Sequence, residues 1–179
     1  MKKTLVILLT LAICFGSFAS FADSAMFDTN SADQGVVTIS YSNSSEKHKV
    51  MVQRGSEKVF YNLLNDEISV PMTYGNGIYN IAVLERVSGN EYKIVDEKSV
   101  NVKMASTNAA YLTSSQTVDW KDANLMKAKV QTLVNDDMAD REIVEAIYTY
   151  IVDHYDYDYD KINGLTHLYT PNIDDFITD

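Results

Sequence analysis

The chain has 179 residues, of which 46% are apolar; its 25 acidic side chains outnumber 15 basic ones, for a net charge of −10 at neutral pH. Such a balance repels nucleic acid and anionic membrane surfaces, so neither is expected as a partner. A single cysteine leaves no pair for an intramolecular disulfide.

The first 22 residues read as a cleavable secretory signal peptide. Lys2 and Lys3 give the positive start, Leu5 to Phe18 carry no charge, and Ser20 and Ala22 are small enough for cleavage before Asp23. Cleavage after Ala19 is the second choice. The apolar run is short for a bilayer span, so a secreted or cell-surface location is expected, with no membrane contact after cleavage. Cys14 lies inside this segment. Ile13 stands where an acylation box wants Gly or Ala, so Cys14 reads as a small hydrophobe. The mature chain would hold no thiol, which excludes thiolate metal sites and a Cys nucleophile.

From Gly35 to Met104 apolar and polar residues alternate in short runs: Val37-Ile39-Tyr41, Val50-Val52, Val59-Tyr61-Leu63, Ile68-Val70, Tyr79-Ile81-Val83, Tyr92-Ile94 and Val100-Val102-Met104. Period two marks strands with one buried face. Asn65-Asp66, Gly75-Asn76-Gly77 and Ser88-Gly89-Asn90 supply turns between them. The fold class expected is α+β, opening with an antiparallel, immunoglobulin-like β-sandwich over 35–104. Small polar residues over 105–118 suggest a linker.

Past Trp120 the period becomes 3.6. Asp119 or Asp122 can cap a helix carrying Met126, Val130, Leu133 and Val134 on one face, and a second runs from about Asp140 to His154. A third can open with Thr170 as cap and Pro171 in its first position, ahead of Ile173, Phe176 and Ile177. Trp120 and Tyr111 are expected at the seam between sandwich and helices. Charge separates the halves: residues 35–104 balance eight acidic against eight basic side chains, whereas 135–179 set twelve acidic against Arg141 and Lys161.

Asp156, Asp158 and Asp160 resemble the front of a calcium loop, but Lys161 and His167 stand where that loop needs Gly and a bidentate Glu. They are only a weak Ca²⁺ candidate; the expected form is an extended segment with Tyr155, Tyr157 and Tyr159 packed inward and the three Asp in solvent. His48 is expected to be exposed at a strand start, His154 to serve structurally in the last turn of its helix, and no histidine pair has zinc-site spacing. No Ser elbow and no phosphate loop are present. No catalytic residue and no cofactor follow from this inventory.

The helical half does resemble a known family. Asp140-Arg141-Glu142-Ile143-Val144-Glu145-Ala146-Ile147-Tyr148-Thr149-Tyr150-Ile151, followed by Tyr155-Asp156-Tyr157-Asp158, is similar to the start of a transglutaminase-like core, and Leu168 to Phe176 resembles the approach to its nucleophile helix. The sandwich ahead of it is similar to the β-domain preceding this core in secreted bacterial members. The resemblance implies a papain-like Cys-His-Asp chemistry, performing acyl transfer or hydrolysis on extracellular or cell-wall peptides. It ends before the segment that would bear the Cys, so no triad residue carries over. The expectation is thus residues 119–179 as a partial transglutaminase-like domain, cut short by a stop, a frameshift or an incomplete gene, and no enzyme as it stands. The alternative is a non-enzymatic extracellular binding module, a sandwich with an acidic helical cap.

Overall fold

The structure is a computed structural model that describes residues 24–178, and the signal-peptide reading lies outside them. Among the described residues seven strands form two antiparallel sheets. The smaller has the order β1-β2-β5, from β1 (Met26–Asp28), β2 (Val36–Ser40) and β5 (Glu67–Pro71). The larger runs β4-β3-β6-β7, from β3 (His48–Arg54), β4 (Glu57–Asn62), β6 (Gly77–Ser88) and β7 (Glu91–Val102). Their inner faces meet as a sandwich of immunoglobulin-like architecture.

Alternation decides which side chains fill it. Val37, Ile39 and Val70 from one sheet face Val50, Val52, Ile81, Val83 and Val102 from the other, all fully buried. Each contributes about 1.5–3 kcal/mol of transfer free energy. Cross-strand rows such as Tyr61–Val50–Val83 lock the register, because a one-residue slip would turn every one of these side chains outward. Tyr79, fully buried, donates its hydroxyl to Met72 O (3.0 Å) and Gly75 O (2.8 Å).

Three boundaries differ from the sequence expectation. The sandwich does not begin at Gly35, because β1 pairs with β2 from Met26 onward. The runs at Tyr92-Ile94 and Val100-Val102 belong to one strand, β7. Val95 is an extra residue between the Leu84↔Ile94 and Val83↔Asp96 pairs, and that bulge reverses the alternation mid-strand. Segment 105–118 is not a free linker: it contains helix α1 (Asn108–Tyr111), whose Ala110 is fully buried in the sandwich core.

His48 is also corrected. It is 7% exposed, with Nδ1 at 2.9 Å from Ser45 Oγ and the Tyr41 ring 5.1 Å away edge-on. Burial pushes its pKa below the ordinary 6.5; Glu85 opposes the shift, while Lys47 and Lys93 add to it. As pH falls below about 6.5 the unfolded chain takes up a proton that the folded imidazole resists, so this contribution to stability is present above that pH and lost below it. Melting temperature should therefore drop more in the unsubstituted protein than in His48→Gln between about pH 7.5 and about pH 5.5. Parallel melting curves for the two would refute the assignment.

The helical half comprises α2 (Asn124–Leu133), α3 (Asp140–His154), α4 (Tyr159–Gly164) and α5 (Ile173–Thr178). Neither Asp119 nor Asp122 caps α2. Its first amides, Leu125 N and Met126 N, donate instead to the Asp174 carboxylate from α5 at 3.2 and 3.0 Å, a charge well placed at a helix start. α3 matches its expected bounds, and Glu142 reaches back to Ala139 N at 2.8 Å. α5 is led by Asn172, whose side chain accepts from Asp174 N at 2.8 Å, not by Thr170. None of the residues of α2, α3 or α4 is buried. Among the described residues no helix is long and apolar enough to cross a membrane.

Candidate functional site

The Tyr/Asp segment does not stay extended. Asp158 accepts a hydrogen bond from Lys161 N (2.7 Å), which caps α4 and overrides the period-two pattern. Tyr155 alone turns inward, half-buried and stacked on Phe176 at 4.1 Å. Tyr157 and Tyr159 are 67% and 71% exposed, contrary to the expected inward face. With Asp158 committed to its cap and Asp160 in the first turn of α4, the three carboxylates do not converge. Among the described residues no group of three His, Cys, Asp or Glu is arranged to hold a metal. Tyr155, Tyr157, Tyr169 and Phe176 line a cleft of about 260 Å³, rimmed by Asp156 and Asp158.

At the end of α3 the Tyr150 and Tyr155 hydroxyls are 3.2 Å apart, and Lys129 Nζ lies 4.8 Å from the Tyr150 ring centre. The shared hydrogen bond lowers the pKa of Tyr150, with Lys129 assisting, and raises that of Tyr155. His154 Nδ1 bonds the Tyr150 carbonyl at 2.9 Å, a local structural contact.

The seam between the halves is polar, and its central residue is Asn62, at the end of β4 and 4% exposed. Its Nδ2 donates to Leu168 O (2.7 Å) and Thr170 Oγ1 (2.8 Å), and its Oδ1 accepts from Lys49 Nζ (2.5 Å). Its backbone N–H donates to Gln116 Oε1 at 2.9 Å, and its carbonyl accepts from Gln116 Nε2. Lys49 also donates to His167 O at 2.7 Å. Trp120 is half-buried and Tyr111 is 59% exposed, its hydroxyl on Thr73 O. Tyr111 is therefore held at the turn between β5 and β6 and not at the seam, which the polar set around Asn62 builds. Asn62, Gln116 and Lys49 escaped the sequence reading, and Thr170 was read only as a helix cap, because a polar side chain in a strand or turn gives no local sign of a partner far along the chain.

No family model matches the chain, and no curated protein matches it. Among solved structures it is similar to the fn3 domain of human collagen alpha-1(XX) chain at 10% identity, over 48% of this chain and 82% of that one, with a TM-score of 0.34. The sandwich is established by the strand pairing itself, not by this likeness.

Proposed function

We propose that the chain supplies the β-sandwich and opening helices of an exported transglutaminase-like protein. The complete protein would carry out acyl transfer or hydrolysis on extracellular or cell-wall peptides, and its nucleophile motif would lie outside residues 1–179. The observation that supports this reading is the second apolar stripe of α3. Val144, Tyr148 and Val152 are 66%, 66% and 57% exposed, while Ile143, Ile147 and Tyr150 are half-buried on a helix that packs against α2. A helix apolar on two faces is suited to a layer on each side. On this reading residues 23–179 perform no acyl transfer, since they contain no thiol. The test is the coding sequence beyond codon 179. A Gly-x-Cys-x-Asp-Tyr-like segment in frame supports the proposal, and its absence from all frames removes the support.

A second reading, the non-enzymatic binding module, is favoured by the polar seam, which ties helices to sandwich through Asn62. Hydrogen exchange separates the two. A module should protect the α3 amides as strongly as those of β3, in one cooperative unit. An incomplete core should exchange its α3 amides while the sandwich remains protected.

A further inference from the structure

We propose that the outer face of the four-stranded sheet carries a binding site for a peptide carboxylate, with Lys49 and His167 as its donors and Phe60 and Tyr92 as its apolar walls. This site lies where segment 165–172 crosses the sandwich, and it does not depend on the transglutaminase-like reading. Alternation along β3 places Lys49 outward, since Val50 and Val52 face the core, and register puts Asn62 and Leu84 beside it. Segment 165–172 then brings His167 over this row.

The electrostatics of this spot are unusual for an acidic chain. Lys49 Nζ donates to two neutral oxygens, Asn62 Oδ1 and His167 O. An ammonium has three donors, so one remains. Arg86 donates its Nε–H to Gly89 O, and its NH1 lies 3.3 Å from His167 Nε2. A guanidinium only donates, so Nε2 accepts and the ring proton sits on Nδ1, where it is a donor. Arg86 is thus a positioning residue that fixes this tautomer. Among the described residues no carboxylate forms an ion pair with Lys49 or Arg86. Burial, and then the repulsion of Arg86, hold the Lys49 pKa below the ordinary lysine value. Two cations share one half-buried place with no anion between them.

Beside them is a cavity of about 270 Å³, lined by Lys49, Phe60, Asn90, Tyr92 and His167. Phe60 is 47% exposed, an aromatic face with apolar area to cover. The volume suits one terminal or acidic residue. Two single N–H donors, one cationic and one neutral, match the two oxygens of a singly charged planar carboxylate. The aromatic walls take the carbon atoms that carry it.

The experiment is a titration of the isotope-labelled full chain, following the amides of Lys49, Tyr92 and His167 by NMR. The probes are N-acetyl-Ala-Ala with a free carboxylate, its C-terminal amide, and N-acetyl-aspartate amide. A saturable shift is expected with a free carboxylate, and binding at least about tenfold weaker with the fully amidated peptide, because a charged hydrogen-bond partner is lost. Saturation by N-acetyl-aspartate amide but not by N-acetyl-Ala-Ala would assign the carboxylate to a side chain, the reverse to a chain terminus. Lys49→Gln should weaken carboxylate binding to a similar extent, and Arg86→Gln should do so by releasing His167. If Lys49→Gln fails to fold, the comparison of carboxylate with amide in the unsubstituted chain decides alone. Equal binding of the amide, or no saturable shift with either carboxylate, overturns the proposal.

Discussion

Gly35→Ala is expected to destabilise the sandwich by about 2–5 kcal/mol, combining left-handed strain with overpacking. Gly35 ends the 3-10 turn Ala32–Gln34 with φ +81°, a region that costs an L side chain free energy. Space is the larger problem. A Cβ there would sit 2.6 Å from the Met104 sulfur and 2.8 Å from Ala110 Cβ. The Met side chain can rotate away, but Ala110 belongs to α1 and is fully buried, so the backbone must move. Movement is opposed by the bond from Met72 N to Gly35 O (2.8 Å), which ties β2 to the chain leaving β5. Gly89→Ala is the control: its φ is +50° and a Cβ would meet nothing within 4 Å. Urea denaturation of the two variants separates the effects. If Gly35→Ala costs no more than Gly89→Ala, the close packing of α1 on the sandwich is wrong.

This contact also shows where the sequence was legible. The inward apolar residues of β2 to β6 could be read directly, since a strand with one dry face leaves a period of two in its own residues, whereas the inward His48 of β3 could not. β1 could not: Met26-Phe27-Asp28 is too short to carry a period. β7 read as two strands because the Val95 bulge shifts the phase, and no local residue announces a bulge. α3 was legible to within its caps, because fifteen residues give several turns of repeat. The Tyr/Asp segment misled because its alternation was genuine, but a local bond from Lys161 N to Asp158 closes a helical turn and wins. The candidate sites were less legible than the fold. The cap of α2 comes from Asp174, 48 and 49 residues away, and the partners of Asn62 lie 106 and 108 residues on. Polar contacts at such separation depend on the finished topology, whereas periodicity depends only on neighbours.

Asn62→Leu is expected to release the helical half while leaving the sandwich core in place. Leucine is close in volume, so the change removes hydrogen bonds and little packing. Leu168 O and Thr170 Oγ1 lose their donor, and the Lys49 ammonium keeps only His167 O of its two acceptors. Leaving such groups short of partners costs about 1–3 kcal/mol each where they stay buried. The chain can avoid most of that cost by letting segment 167–172 leave the sheet and regain water. α5 follows that segment directly and would be left with the bond from Ile173 N to Thr117 O (3.1 Å) toward the docked stretch, so the hold of Asp174 on the start of α2 should loosen as well. The bonds of Gln116 to the Asn62 backbone survive the substitution, and residues up to Trp120 should stay docked. The expected pattern is therefore uneven. Amides of Leu125 and Met126 should exchange at least about tenfold faster, those of Val50 and Val52 should be unchanged, and fluorescence of Trp120, the single tryptophan, should shift little. Unchanged exchange at Leu125 and Met126 would mean that the helices hold to one another without the seam. Loss of protection at Val50 and Val52 would mean that Asn62 supports the sandwich itself. Only the uneven pattern makes Asn62 a latch, because a residue that merely stabilised β4 would loosen its strand partners before it loosened a helix that begins 62 residues later in the chain.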